Sequence, residues 1–361
     1  MNLSSLGWDD FFANHFQPYS TDGLVPARVA LEHKHTYTLL SAHGELTATC
    51  TGRLLHSSLT RGELPAVGDW VAVRVRAGEP RGDIHAVLPR KTKFSRRAAG
   101  DAAGEQIVAA NVDTVLLVTA LDANYNLRRI ERYLAVAWES GAQPVVVLNK
   151  ADLHPDPAAA CAEVESVAIG ASVIALSATH GAGLDALARF LAPGRTVALL
   201  GSSGVGKSTL INALLGTGRQ LTGAISDAAG KGRHTTMHRE LIIAPAGALV
   251  IDTPGMRELQ LWEVAEAALD TTFADIAALA ARCRFGDCTH HAEPGCAVQA
   301  ALDAGSLDAD RWQSFQKLQR EQAYAARRAD PRLARESKTH WKKISKAQRL
   351  HARWKGGVGD P

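Results

Sequence analysis

Gly201-Ser202-Ser203-Gly204-Val205-Gly206-Lys207-Ser208, followed by Thr209, is the stretch that decides how this chain folds. It fits the pattern G-x-x-x-x-G-K-[ST]. It also follows the apolar run Thr196–Leu200 and opens a helical pattern from Lys207 to Leu215, the strand–loop–helix context in which that pattern carries meaning. Glycines let successive backbone N–H groups turn inward around phosphate oxygens, and the helix N-terminus adds positive potential. Lys207 is placed to reach β- and γ-phosphates, and Ser208, with Thr209 beside it, to ligate Mg²⁺. A glycine-rich turn with no ligand is the competing reading, and the flanking strand and helix weigh against it.

Working outward, Asp252-Thr253-Pro254-Gly255 follows a second apolar run, Ala248–Ile251. An Asp ending such a strand can hold Mg²⁺, and the Gly255 N–H can meet a γ-phosphate. Alone, D-x-P-G is an ordinary turn. Upstream, Asn149-Lys150-Ala151-Asp152 ends the run Val145–Leu148, and Ser177-Ala178 ends Val173–Leu176. The Asp152 carboxylate can accept from guanine N1–H and the 2-amino group; adenine offers neither donor there, so a buried Asp152 discriminates against ATP. Asn149 and Lys150 would brace the loop and the base, and the Ala178 N–H can meet the guanine oxygen. N-K-x-D alone is a surface turn; beside a phosphate loop the guanine reading dominates.

The chain has 361 residues, 46% hydrophobic and 21% charged, enough for two or three domains with their own cores, and neither disordered nor collagen-like. Its net charge of +3 hides an uneven layout. From Arg311 to Lys355 fourteen Lys/Arg face three acids, a local +11, and from Arg81 to Arg97 six face Asp83, a local +5, which leaves −13 for the rest. That pattern points to a polyanion touched locally. Cys50 and Cys161 stand alone, whereas Cys283, Cys288 and Cys296 crowd around His290 within fourteen residues, a spacing for metal rather than disulfides. Three thiolates and one imidazole make the Cys₃His set of a closed structural zinc site, with no position left for water and hence a folding role. His291 is a rival ligand. The N-terminus lacks a basic, apolar leader and no stretch reaches about 18 apolar residues, so a cytoplasmic protein without membrane contact is expected.

Residues 24 to about 90 carry short period-two strands (Val25–Leu31, Thr36–Leu40, Leu46–Cys50, Trp70–Val75, Ile84–Leu88) broken by Gly and Pro. Five strands in this space suit a compact Greek-key barrel, of oligonucleotide-binding or SH3-like type. Arg90–Gly104 reads as a linker. Its cations around Phe94 (Arg90, Lys91, Lys93, Arg96, Arg97) read equally as an RNA grip or a flexible connection. From Val112 apolar strands alternate with helices, which implies a parallel sheet covered on both faces. Beyond Leu269 only helical patterns remain. The expected division is 1–100, an all-β barrel with its extension and linker; 101–268, an α/β nucleotide-binding domain; and 269–361, a mainly α zinc-binding domain with a basic tail. Among the tail's residues, Trp312, Phe315, Tyr324, Trp341 and Trp354 read as core packing and the excess cations as RNA contacts.

The motif order is N-K-A-D, S-A, phosphate loop, Thr-bearing loop, D-T-P-G, whereas ordinary small GTPases begin with the phosphate loop. With PAVGDW (Pro65–Trp70), KGRHTT (Lys231–Thr236) and the Cys/His cluster, the chain resembles, over nearly its whole length, the bacterial ribosome small-subunit-dependent GTPase A (RsgA) family of circularly permuted GTPases. The resemblance implies an oligonucleotide-binding barrel, a GTP-hydrolysing centre and a zinc-binding C-terminal domain, with His290 rather than His291 beside the three cysteines as ligand. It also implies action in late maturation of the 30S subunit, which stimulates hydrolysis. The partners expected are therefore GTP/GDP, the 30S subunit and its 16S rRNA, with the chain a monomer. Thr235 and Thr236 match the threonine position that completes Mg²⁺ coordination, and either fits. Met256 stands where Ras-like proteins carry the Gln that orients water, and a thioether cannot do so. Slow intrinsic turnover is thus expected, with the catalytic group supplied by His234 or by the partner. The chain also runs from D-T-P-G straight into the zinc domain, so nucleotide state is expected to reposition that domain relative to the barrel. Two rival readings are an RNA-binding module with GTP as a structural ligand only, and a small-molecule kinase, which has no need of N-K-x-D.

Overall fold

The computed structural model describes residues 1–33, 36–97, 105–216, 239–252, 266–291 and 293–329. Thr235, Thr236 and Gly255, with His234 and Met256, lie outside the described residues, as do Trp341 and Trp354.

Helix α1 (Asp10–Ser20) starts at Asp9, whose side chain accepts from the backbone N–H groups of Phe11 and Phe12. It lays Phe12 and Phe16 on the barrel that follows, where Trp8 meets Trp70 edge-on at 4.7 Å. The barrel is built from β1 (Val25–His33), β2 (Thr36–Ser41), β3 (Gly44–Cys50), the short helix α2 (Gly52–Ser57), β4 (Trp70–Val75) and β5 (Arg81–Val87). Their order is β1-β2-β3-β5-β4, closed by β4 against β1, with β3 and β5 parallel and the other pairs antiparallel. This closed five-strand arrangement with a helix after β3 is the oligonucleotide-binding type. Alternate residues Val29, Leu39, Leu46, Val71, Val73 and Ile84 fill it.

The linker expectation is overturned. Residues 93–97 form β6 (Lys93–Arg97), an antiparallel ribbon with β7 (Glu105–Ala110), and Phe94 is buried. Three of the five cations there are paired with acids. Arg90 pairs with the fully buried Asp69 of PAVGDW at 2.7 Å and Lys93 with Glu105 at 2.8 Å. Lys91 bonds Asp9 while lying over the rings of Phe11 and Phe12. The segment is a fastening between helix, barrel and next domain, because Arg90, Lys91 and Lys93 are matched locally by Asp69, Asp9 and Glu105, while Arg96 donates to the neutral Gln106 side chain.

The central sheet contains β8 (Thr114–Ala120), β9 (Gln143–Asn149), β10 (Ser172–Ala175), β11 (Thr196–Leu200), β12 (Glu240–Ile243) and β13 (Leu249–Asp252), with α3 (Leu127–Ser140), α4 (Pro157–Val167) and α5 (Lys207–Leu215) as connections. Strand order is β10-β9-β8-β11-β13-β12; the first five are parallel and β12 runs antiparallel at the edge. Every residue of β8 and β11 is buried, as continuous apolar runs covered on both faces require. Edge strand β12 then pairs with β1 through Leu31 and Glu240, so barrel and central sheet form one run of eleven strands.

Arg28 of β1 locks this joint. Its buried guanidinium donates to the carbonyls of Leu6, Gly68 and Asn111 and, at 2.8 Å, to Thr196 Oγ1 at the start of β11. The C-terminal helices α6 (Glu266–Thr272), α7 (Ala274–Ala280), α8 (Ala297–Asp303) and α9 (Ala309–Ala329) pack around Phe273, Ile276, Val298, Trp312 and Leu318. That core takes in Ala135 and Trp138 of α3, so this domain is seated on the central one. Trp312 and Phe315 belong to the core, as the packing reading expected, whereas Tyr324 is exposed.

Candidate functional site

Four motifs hang from the C-terminal ends of β9, β10, β11 and β13, the edge at which parallel α/β sheets bind ligands. The phosphate loop leaves β11 and turns into α5 at Gly206, whose φ of 92° is left-handed and whose missing side chain makes room for the Asn149 carboxamide. Val205 is fully buried and anchors the loop, while Ser203, Gly204, Ser208 and Thr209 are exposed along its open side. Lys207 lies back across the loop, its Nζ donating to the carbonyls of Gly201 at 2.7 Å and Ser202 at 2.5 Å. The expected cradle is present in shape, with the charge directly over its first two residues.

Asn149 is almost wholly buried and connects three motifs at once. Its Nδ2 donates to the Val205 carbonyl of the phosphate loop at 2.8 Å, and its Oδ1 accepts from the Ala178 N–H at 3.0 Å. The Ala178 N–H, expected to meet the guanine oxygen, is therefore held by Asn149 here. Lys150 adopts a left-handed backbone (φ 60°), turning its side chain to Asp122 Oδ2 at 2.8 Å. Ala151 and Asp152 follow in a short 3₁₀ turn, with the Ala151 N–H donating to the Leu176 carbonyl. Asp152 is exposed here rather than buried, and its carboxyl sits below the usual carboxylate range, chiefly because the Ser177 hydroxyl donates to it, with its own backbone N–H and nearby His180 adding to the effect; His180 Nδ1 lies 3.6 Å from Asp152 Oδ2 and 3.0 Å from Ser177 Oγ. Asp252 closes β13 opposite Glu240 of β12, half-buried at the same edge.

Two side chains at this edge carry no motif signal. Asp122, just past β8, fixes Lys150, and its own carboxyl is held low by that lysine and by the Asn124 N–H. Arg129, in the first turn of α3, donates from Nη1 to Ser202 Oγ at 3.2 Å. Only a D at the end of an apolar strand hinted at the first, and nothing local hinted at the second.

In the C-terminal domain the ligand atoms of Cys283, Cys288, His290 and Cys296 lie within 4.8 Å of one another. Nδ1 of His290 is 3.5 Å from the Sγ atoms of both Cys283 and Cys296, which stand 3.9 Å apart. Metal–sulfur bonds of about 2.3 Å in a tetrahedron place sulfurs about 3.8 Å apart, so the cage fits one ion of that kind. A left-handed backbone at His290 (φ 60°) brings its ring into the cage, edge-on to Trp312, whereas His291 turns its Nδ1 to the Thr289 carbonyl. Of the two histidines, His290 joins the cluster.

A model of the RsgA GTPase family matches residues 87–262. Along 364 aligned residues the chain is 66% identical to the small ribosomal subunit biogenesis GTPase RsgA of Opitutus terrae, covering 99% of each. To the protein of the same name from Syntrophotalea carbinolica it is 47% identical, covering 100% of each. Among solved structures, the crystal structure of YjeQ from Thermotoga maritima superposes with a TM-score of 0.63 at 26% identity, over 83% of this chain and 98% of that one. Motif order, sheet topology and similarity agree, and the chain belongs to the RsgA family of circularly permuted GTPases.

Proposed function

We propose that this chain binds GTP on the loops following β9, β10, β11 and β13 and hydrolyses it to GDP and phosphate in late assembly of the small ribosomal subunit, docking on the 30S particle and its 16S rRNA as a cytoplasmic monomer. One observation carries the nucleotide half: the single carboxamide of Asn149 joins the base-reading loop, the Ser177-Ala178 loop and the phosphate loop. Such a joint fixes the base-reading and phosphate loops relative to each other, as a single nucleotide spanning both requires. Asp152, ionised at neutral pH, is the acceptor for guanine N1–H and the 2-amino group. Lys207, with Gly201–Gly206 N–H groups around it, serves the β- and γ-phosphates. Ser208 and Asp252 would hold Mg²⁺, which neutralises phosphate charge during transfer; Thr235 or Thr236 and Gly255 are assigned the γ-phosphate side by their place in the motif order. Cys283, Cys288, His290 and Cys296 are assigned to a structural Zn²⁺, since three thiols and an imidazole suit that ion. The ribosomal half rests on the names of the similar proteins and on the cations of the C-terminal segment.

Phosphate release from GTP and from ATP, each with and without 30S subunits, is the test. Release from GTP that rises with 30S is expected. Release that ignores the base sinks the guanine reading, and binding without release under any condition makes GTP a structural ligand. Asp152→Asn should weaken GTP at least about 100-fold and favour xanthosine triphosphate, whose C2 carbonyl needs a donor.

A further inference from the structure

Helix α3 bears three arginines within six residues of its start, and their partners differ. Arg128 pairs with Asp308 and Arg132 makes a two-bond pair with Glu321, both acids belonging to the C-terminal domain. Arg129, between them, points the other way. Its Nη1 meets Ser202 Oγ and the Asn124 carbonyl, and among the described residues no carboxylate lies within ion-pair distance of it. A half-buried guanidinium that touches the second residue of the phosphate loop fixes the hydroxyl of that residue from outside the loop. Ser202 is thereby held twice, its hydroxyl by Arg129 and its carbonyl by Lys207. The helix that does this is also the seat of the Cys/His domain, whose core includes Ala135 and Trp138.

We propose that Arg129 is a positioning residue for GTP hydrolysis: through Ser202 it sets the phosphate loop from the helix on which the C-terminal domain is seated. The proposal rests on the GTPase reading above. If it holds, loss of the guanidinium or of the hydroxyl has the same consequence, because each removes one end of a single contact. A side chain that merely stabilised α3 would instead lower stability and nucleotide affinity together.

The experiment is a double-mutant cycle on single-turnover GTP hydrolysis in the full chain, with and without 30S subunits, using Arg129→Ala, Ser202→Ala and the pair. Affinity for a fluorescent GDP analogue and thermal stability are measured on each. The expected result is a rate about tenfold lower for either single variant, no further loss in the pair, and GDP affinity within about twofold of the parent. Arg129→Lys, which keeps the charge, should recover at least about threefold. Losses that multiply in the pair, or falls in GDP affinity and melting temperature that track the rate, overturn the assignment. A parent protein without GTP turnover even with 30S overturns the GTPase reading itself, whereas an active parent matched by Arg129→Ala overturns this inference alone.

Discussion

The central domain is gripped from two sides, each time by a buried arginine, and the two grips are of opposite kinds. At the barrel joint Arg28 binds three carbonyls and one hydroxyl, with no carboxylate in contact among the described residues. Burial pulls its pKa down to about 10, against the more distant pull of Asp113, Asp69 and Asp9. At the C-terminal joint Arg311 sits between the buried Glu131 of α3 and Asp275 of α7, at 2.9 and 2.7 Å. Burial lowers its pKa too, but the two carboxylates outweigh it and leave it raised. The first grip is a hydrogen-bond hub continued by strand pairing, in which carboxylates act only from a distance. The second is an ion cluster with exposed outliers at Arg128–Asp308 and Arg132–Glu321, the sort of contact that can be loosened.

That contrast can be broken in graded ways. Arg28→Met should cost most, about 4 kcal/mol in denaturant titration, because it takes the side-chain donor from the buried Leu6 and Asn111 carbonyls and leaves the Gly68 carbonyl with Asn111 Nδ2 alone; a cost under about 1 kcal/mol would mean water replaces the hub. Next comes Glu131→Met, which takes one of the two carboxylates from buried Arg311 and leaves it Asp275 alone; it should cost about 2 kcal/mol, whereas adding Arg311→Met should return part of it. An equal or larger cost in the double variant would show that the pair itself stabilises the seat. Acid should separate the joints in kind. Burial pushes the Asp275 carboxyl up, but bonds from Arg311 win and hold it below its ordinary value, so its contribution is complete above pH of about 4 and disappears as pH falls through the lowered pKa. Asp69 is shifted the other way, since burial exceeds the opposing effect of Arg90; what its shift contributes is lost as pH rises, not as it falls. Hydrogen exchange below about pH 4 should therefore accelerate in α9 before β1. The smallest effect belongs to Arg132→Ala, under about 1 kcal/mol and vanishing in high salt, since both side chains reach water.

The strands of barrel and sheet were legible because alternation and apolar runs are local signals, and the loop motifs because glycine, lysine and aspartate spacing sits within a few residues. What escaped reading depends on partners far along the chain. Strand β6 looked like linker by its Arg, Lys and Ala content, yet Phe94 is core and Arg90 answers Asp69. Asp122 and Arg129 find theirs 28 and 73 residues away. The family resemblance names His290 rather than His291, and His290 is the histidine in the cluster; the left-handed backbone angle that brings it there is encoded by no composition. Likewise Arg311, counted among the basic residues of the C-terminal segment, is neutralised inside the fold by carboxylates 180 and 36 positions upstream.

The permuted strand order also sets a schedule for synthesis. Strand β11 lies between β8 and β13, yet β8 leaves the translation machinery some 80 residues earlier. At about 5–20 residues per second the nascent chain carries β8, largely apolar, with the edge that β11 will take unpaired for roughly 4–16 s. The same five residues that cover this edge begin with Thr196, the last acceptor Arg28 requires. Emergence of β11 thus covers this edge of β8 and completes the Arg28 hub in one event, whereas the pairing of β1 with β12 waits for residues some 40 positions further on.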